Sequence, residues 1–303
     1  MPDIAWVNGR VTPISEAVLP IDDRGTQYGD GVYEVLRTYG GRLFAPDRHY
    51  ARLRRSAAAI GLPADGRLAS IEAIVDECVA LAGFPESLAY VQVTRGTAPR
   101  AHVYPKGIVP NCVVTVRPLA ADYSREKRDG VRVILLPDIR WGRCDIKSLN
   151  LLPNVLAKNR ANDSGAFEAV FVDRDGRVTE ATTSNVFAVR GGALVTPPQK
   201  PQLLPGVTRS VLLDLARGAG IPLREEELTR EALLGADEAI LSSTTIEVVP
   251  VVAADGKPIG SGRPGPLFAR LEAAFREAVG THADPFFGRL AHRAAAGAGK
   301  EVR

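Results

Sequence analysis

The chain has 303 residues, of which 38 are basic and 35 acidic, for a net charge of +3 and an apolar fraction of 45%. That balance gives no electrostatic reason to expect nucleic acid or an acidic membrane as partner, and no 18-residue apolar run marks a membrane span. Three widely spaced cysteines (Cys78, Cys112, Cys144) suggest neither a disulfide framework nor a metal site. The start Met1-Pro2-Asp3-Ile4-Ala5-Trp6 lacks the basic-then-apolar pattern of a secretory signal, so a reducing cytoplasm is the expected location.

Length and pattern divide the chain into a small N-terminal α+β domain (1–118), a polar linker (119–130), a large C-terminal domain (131–285) and a flexible tail (286–303) that is Ala/Gly-rich and basic from Gly288. Asn8-Gly9 turns a first hairpin, and Gly40-Gly41 turns a second between residues 31–39 and 42–44. Asp47 is the expected N-cap of a helix in which Tyr50, Leu53, Ala57 and Ile60 recur at helical spacing and which Gly61 ends. A second helix covers 71–81, and strands cover 89–94 and 111–117. Beyond the linker, strands are expected at 131–136, 168–173, 177–189, 193–196 and 238–242, and helices at about 207–218, 229–234 and 266–279. Strands and helices alternate irregularly, so the expected fold is two α+β domains meeting at a cleft rather than a doubly wound parallel sheet.

Among only seven lysines, Lys147 stands apart. The other six have polar, turn-like or terminal neighbours, whereas Lys147 follows the strand-like run Val131-Arg132-Val133-Ile134-Leu135-Leu136 and precedes Leu149, Leu151, Leu152, Val155 and Leu156. An ammonium beside apolar walls loses solvation, which favours the free, nucleophilic amine. The alternative is a lysine whose stem lies on the core while its head reaches water.

Three segments suit an anion. Gly206-Val207-Thr208-Arg209 opens an apolar helix whose first amides and threonine hydroxyl can bind phosphate. Ser242-Ser243-Thr244-Thr245 sits at the end of a strand. The helix beginning near residue 48 carries Arg48, Arg52, Arg54 and Arg55, and periodicity does not choose between Arg52 and Arg54, which flank its apolar stripe. Singly, each segment also reads as a plain cap, a plain turn or a solvated face. Glu180, in the strand after Asp175-Gly176, is either an exposed rung or a carboxylate able to keep a pyridine nitrogen protonated. In Arg95-Gly96-Thr97-Ala98-Pro99-Arg100-Ala101-His102, an extended backbone points Arg100 and His102 the same way, offering a grip for a carboxylate.

These motifs, together with Asp22-Asp23-Arg24-Gly25-Thr26-Gln27-Tyr28-Gly29-Asp30-Gly31-Val32-Tyr33-Glu34, occur in one order over roughly residues 3 to 280. In that order the chain resembles the fold-type IV pyridoxal-phosphate enzymes, and the loop from Arg95 to His102 marks their D-amino-acid aminotransferase branch. The resemblance implies a two-domain α+β fold with pyridoxal 5′-phosphate in the interdomain cleft. It makes Lys147 the Schiff-base lysine, Glu180 the partner of the pyridine nitrogen, and Leu204 a residue packed on the ring. Arg52, rather than Arg54, would hold the phosphate with Val207, Thr208, Ser243 and Thr244. Tyr33, Arg100 and His102 would trap the substrate carboxylate, the last two reaching across a homodimer. The implied reaction is ping-pong transamination of D-alanine with 2-oxoglutarate to pyruvate and D-glutamate. Alternatives on the same scaffold are an L-branched-chain aminotransferase or an (R)-amine transaminase, and from another class a non-catalytic binder of the cofactor. Two departures from the pattern are Ala181-Thr182-Thr183, where a glycine and serines are commoner, and Pro153-Asn154 after the lysine.

Overall fold

A computed structural model describes residues 3–63, 66–281 and 286–287. Strands β1 (Ile4–Val7) and β2 (Arg10–Pro13) form the hairpin expected at Asn8-Gly9, both of which have positive φ. A short helix α1 (Arg24–Tyr28) follows, capped by the Asp23 side chain, and leads into β3 (Gly31–Tyr39) and β4 (Arg42–Leu43). Helices α2 (Pro46–Ala59) and α3 (Ile71–Ala82) precede β5 (Ser87–Thr94) and β6 (Asn111–Pro118). The six strands make one antiparallel sheet in the order β2-β1-β6-β5-β3-β4.

Alternation along β3 decides what each face of this sheet does. Val32 and Leu36 are fully buried, packing with Leu53 and Ala57 of α2 and with Val75 and Cys78 of α3. Tyr33 and Val35 therefore face the other way, toward the cavity described below.

Helix α4 (Ser124–Asp129) lies in the expected linker, which is thus partly helical. It is followed by β7 (Val131–Pro137), α5 (Leu152–Asp163), β8 (Glu168–Val172), β9 (Val178–Ala181), β10 (Asn185–Arg190) and β11 (Ala193–Thr196). Then come α6 (Val207–Gly218), β12 (Leu223–Glu225), α7 (Arg230–Leu234), β13 (Glu238–Ser243), β14 (Glu247–Ala254), β15 (Lys257–Pro258) and α8 (Pro266–Gly280). The second sheet runs β12-β11-β10-β13-β14-β7-β8-β9, with β15 against β14. It is mixed: β11/β12, β14/β7 and β7/β8 are parallel and the other pairs antiparallel. One apolar cluster joins α6 and α8 to the sheet through Leu212, Phe268, Leu271 and Phe275, and a second fills the sheet's other region around Val170, Leu228, Leu241 and Val249.

Several local expectations change. The N-cap of α2 is Ala45, in the left-handed region at φ 49°, with Pro46 at the first helical position; Asp47 lies inside the first turn. The strand expected over 177–189 breaks into β9 and β10, because the Thr182, Thr183 and Ser184 hydroxyls turn to the buried Glu168 carboxylate. Phe286 and Phe287, given to the tail, are 6% and 2% exposed beside Phe44; residues 288–303 lie outside the described residues. Among the described residues no helix is long and apolar enough to cross a membrane.

Candidate active site

A cavity of about 880 Å³ takes its walls from both sheets. Lys147 enters it on an extended segment that runs beside β3. The Tyr33 amide donates to the Lys147 carbonyl at 2.9 Å, the Leu149 amide to the Gly31 carbonyl at 3.1 Å, and the Lys147 amide to Ser56 Oγ at 3.1 Å. Ile146, next in the chain, is buried in the core of the first sheet. Both backbone groups of Lys147 are thus fixed by β3 and α2, and its Nζ lies 4.2 Å from the centre of the Tyr33 ring. The expected apolar wall is corrected in part: Leu151, Leu152, Val155 and Leu156 are exposed, and of these only Leu151 and Val155 edge the cavity. The lysine is flanked by the Tyr33 face and by buried Ile146 instead.

Glu180, on β9, is buried and bonded through both oxygens. Its Oε1 accepts from Arg140 Nη1, and its Oε2 accepts from the Leu204 amide at 3.0 Å and from Asn185 Nδ2 at 3.4 Å. Burial raises its pKa, against which the Arg140 guanidinium and the Leu204 amide act. Arg140 is held in turn by Asp138 through two bonds of 2.9 and 2.7 Å, and its guanidinium lies 4.5 Å from the centre of the Phe171 ring. Burial pushes Asp138 up as well, but Arg140 overcomes that and holds the carboxyl below its ordinary value.

The anion end of the cavity is lined by Arg52, Val207, Thr208, Ser243 and Thr244. Arg52 on α2 is buried, donating to Glu34 through Nε at 2.9 Å and through Nη2 at 2.5 Å, and to the Pro205 carbonyl through Nη1 at 3.2 Å. A guanidinium has five N–H groups, so Nη1 and Nη2 each keep one for a ligand. Arg54, by contrast, is half exposed and pairs with Glu72, and of the two arginines it is Arg52 that lines the cavity. Glu34 has no exposure. Burial raises its pKa, yet Arg52 and His49, the latter 3.0 Å from Oε1, hold it far below the ordinary carboxylate value. Burial lowers the pKa of His49, with Glu34 pulling the other way.

Helix α6 begins at Gly206 with no side chain capping its first amides, leaving donors that a phosphate can satisfy. A Cβ at Gly206 would lie 1.9 Å from Asn185 Oδ1. Only glycine lets the helix start this close to Asn185, which also donates to the Leu204 carbonyl at 2.9 Å. Ser242 Oγ is buried without a partner in the wall of the same cavity. Unspent guanidinium donors, uncapped amides, an orphaned hydroxyl, a buried carboxylate and a lysine fit pyridoxal phosphate: dianion at one end, ring nitrogen at another, aldehyde carbon within reach of an amine.

Arg100 and His102 are not brought to this cavity. Both are exposed, on a loop rather than a strand, and both flank the Tyr28 ring: the Arg100 guanidinium lies 4.6 Å from its centre and the His102 ring 5.5 Å. They are neighbours as expected, but outside their own chain's site. Arg140, Glu34 and Asn185 are supporting residues that sequence reasoning missed. For Glu34 a signal existed, an acid at the buried parity of β3 between Val32 and Leu36. For Arg140 it was weak, an alternating Asp138-Ile139-Arg140 just past β7.

The description amino-transferase class IV matches residues 31–254. The chain is 43% identical over 272 residues to D-alanine aminotransferase of Bacillus licheniformis, covering 90% of this chain and 95% of that protein. Two solved structures share its fold. The branched-chain amino acid aminotransferase of Escherichia coli superposes with a TM-score of 0.87 at 26% identity, covering 94% of this chain and 97% of that one. The branched-chain amino acid aminotransferase of Thermoproteus uzoniensis, solved with norvaline, gives 0.82 at 28% identity, covering 94% and 98%.

Proposed function

Because the chain belongs to the class IV aminotransferases, a pyridoxal-phosphate family, we propose that it moves the amino group of a D-amino acid to a 2-oxo acid, with D-alanine and 2-oxoglutarate giving pyruvate and D-glutamate. The observation that carries this reading is Lys147, fixed by both backbone bonds and presented over Tyr33 in a cavity that Glu180 and Arg52 also line. The D-specific choice rests on the 43% identity to a D-alanine aminotransferase, against 26% and 28% for the branched-chain structures.

In this reading Arg52, the first amides of α6 at Val207 and Thr208, and the hydroxyls of Thr208, Ser243 and Thr244 hold the phosphate. Glu180, its charge supported by Arg140, keeps the ring nitrogen protonated, and Leu204 packs on the ring. When bound, the cofactor supplies an electron-accepting ring that stabilises negative charge at the substrate Cα. Lys147 would be the residue that holds the cofactor covalently, and its free amine would take the proton from substrate Cα as general base. Tyr33 orients the substrate at the face of the lysine.

The carboxylate trap requires a second subunit. Leu151 and Val155 edge the cavity yet are exposed, as are Leu152 and Leu156 beside them, an apolar surface of the kind that marks a protein contact. A homodimer covering it lets Arg100 and His102 of each chain close the other chain's site. A reducing cytoplasm fits the three buried free cysteines. Complementation tests the shared site: Lys147→Ala and a double Arg100→Ala, His102→Ala variant are each expected to release almost no pyruvate from D-alanine and 2-oxoglutarate. Unfolded and refolded together, they regain about a quarter of wild-type activity, because half the dimers are mixed and each mixed dimer has one intact site. No recovery in a mixture shown to contain mixed dimers would contradict the shared site.

A further inference from the structure

Glu247 is the first residue of β14, and it has φ 59°, the left-handed region that side chains avoid. It pairs directly with Ser243 of β13, so the two close a hairpin whose tip is Thr244-Thr245-Ile246. Three-residue hairpin tips of this kind favour glycine at the left-handed position. A glutamate there needs a separate reason, and its carboxylate supplies one. Oε1 accepts from the Tyr39 hydroxyl at 2.7 Å and pairs with Arg37 Nη1 at 2.8 Å, and Oε2 pairs with Lys127. The same Arg37 Nη1 donates to the Thr245 carbonyl at 3.2 Å, inside the hairpin tip. Arg37 and Tyr39 belong to β3, on the face that also carries Tyr33 and Val35, while Lys127 belongs to α4. Three side chains from two elements thus converge on one largely buried carboxylate, whose own backbone forms the hairpin holding Ser243 and Thr244.

We propose that Glu247 is a positioning residue that locks the 243–246 hairpin tip to the first sheet and thereby sets the tip's hydroxyls and amides for the cofactor phosphate. Strained backbone held by surrounding contacts is a mark of functional sites, and here the contacts are ionic and specific. The cofactor's phosphate site and the substrate-facing row of β3 are joined through the Arg37–Glu247 pair. Capture of the phosphate then steadies the face that presents Tyr33.

This inference rests on the reading that the tip holds the phosphate, and two ligands separate the two claims. The apoprotein is titrated with pyridoxal phosphate and with pyridoxal, which has the same ring and aldehyde but no phosphate, following the change in absorbance on binding. Wild type prefers pyridoxal phosphate; equal affinity for both would overturn the phosphate reading and this inference with it. Glu247→Gln is expected to weaken pyridoxal phosphate about tenfold, the scale of one charge-assisted contact, and to leave pyridoxal within about twofold. Glu247→Gly, which relaxes the backbone but removes the carboxylate, gives the same selective loss. Equal weakening of both ligands indicates a general structural role and overturns the proposal, as does unchanged affinity in both variants.

Discussion

Replacing Lys147 with alanine is expected to lower turnover of D-alanine by roughly 10⁴-fold or more, since in the proposed function one amine serves both as the covalent anchor and as the general base. The same variant loses the long-wavelength absorbance that covalent attachment gives the bound cofactor. It should nonetheless fold. The fixed groups of Lys147 are its carbonyl and amide, bonded to Tyr33 and Ser56, and alanine keeps both. The side chain contributes a half-buried stem and a contact with the Tyr33 face, so stability changes by about 1 kcal/mol or less. Activity above a hundredth of wild type, with unchanged melting, would remove Lys147 from its role.

The largest expected stability effect is at Glu34. Its carboxylate has no exposure and binds Arg52 through both oxygens, with His49 on Oε1. Glu34→Ala leaves Arg52 as a buried charge with only the Pro205 carbonyl, a change that costs about 3–5 kcal/mol. It also frees the guanidinium to swing, so affinity for pyridoxal phosphate falls as stability does. Acidity acts on the same cluster, and the sign follows from the directions. The pKa of Glu34 is lower in the fold than in the unfolded chain, so its contribution is complete above the ordinary carboxylate value and is lost as pH falls below it. His49 is also lowered, so the unfolded chain binds its proton first, and stability begins to fall as pH drops through the ordinary value of 6.5. Denaturant melts of the apoprotein between about pH 8 and pH 2 check this. Wild type loses stability in two stages, His49→Asn lacks the upper one, and a flat profile would show that the cluster is not the buried charged network described here.

How far the sequence carries to the structure depends on where the decisive contacts lie. The hairpin at Asn8-Gly9, the helix opening at Val207 and the alternation of β3 rest on neighbours in the chain, and each is where its pattern puts it. Helix α5 was not legible as a helix: its large apolar residues are exposed, and its one buried face is built on Ala157 and Ala161. Strand β14 was missed because Pro250 interrupts its apolar run, a residue that argues against a paired strand, though it sits opposite Ile240 within the ladder. The gap between β9 and β10 is made by Glu168, which draws in three hydroxyls from 14 to 16 residues away, and no local propensity reports that.

The site divides in the same way. Lys147, Glu180, Arg52, Leu204, Val207, Thr208, Ser243, Thr244 and Tyr33 line one cavity; Tyr33 sits at a strand parity and Val207, Thr208 and Ser243 at element ends that the sequence displays, whereas Arg52 lies mid-helix, where periodicity leaves Arg54 equally open. Arg140 was hidden, since its value comes from reaching Glu180 forty residues away. Arg100 and His102 show the limit of one chain: they are adjacent and exposed, and their proposed role depends on a surface that a second copy supplies.

The central claim is D-specific transamination at Lys147, and a half-reaction tests it most directly. Protein loaded with pyridoxal phosphate is mixed with D-alanine or with L-leucine, without an acceptor, and its spectrum and the released 2-oxo acid are followed. Loss of the long-wavelength band with one pyruvate per site from D-alanine, and no response to L-leucine, is the predicted result. A response to L-leucine with none to D-alanine would contradict it and leave Arg100 and His102 as ordinary loop residues.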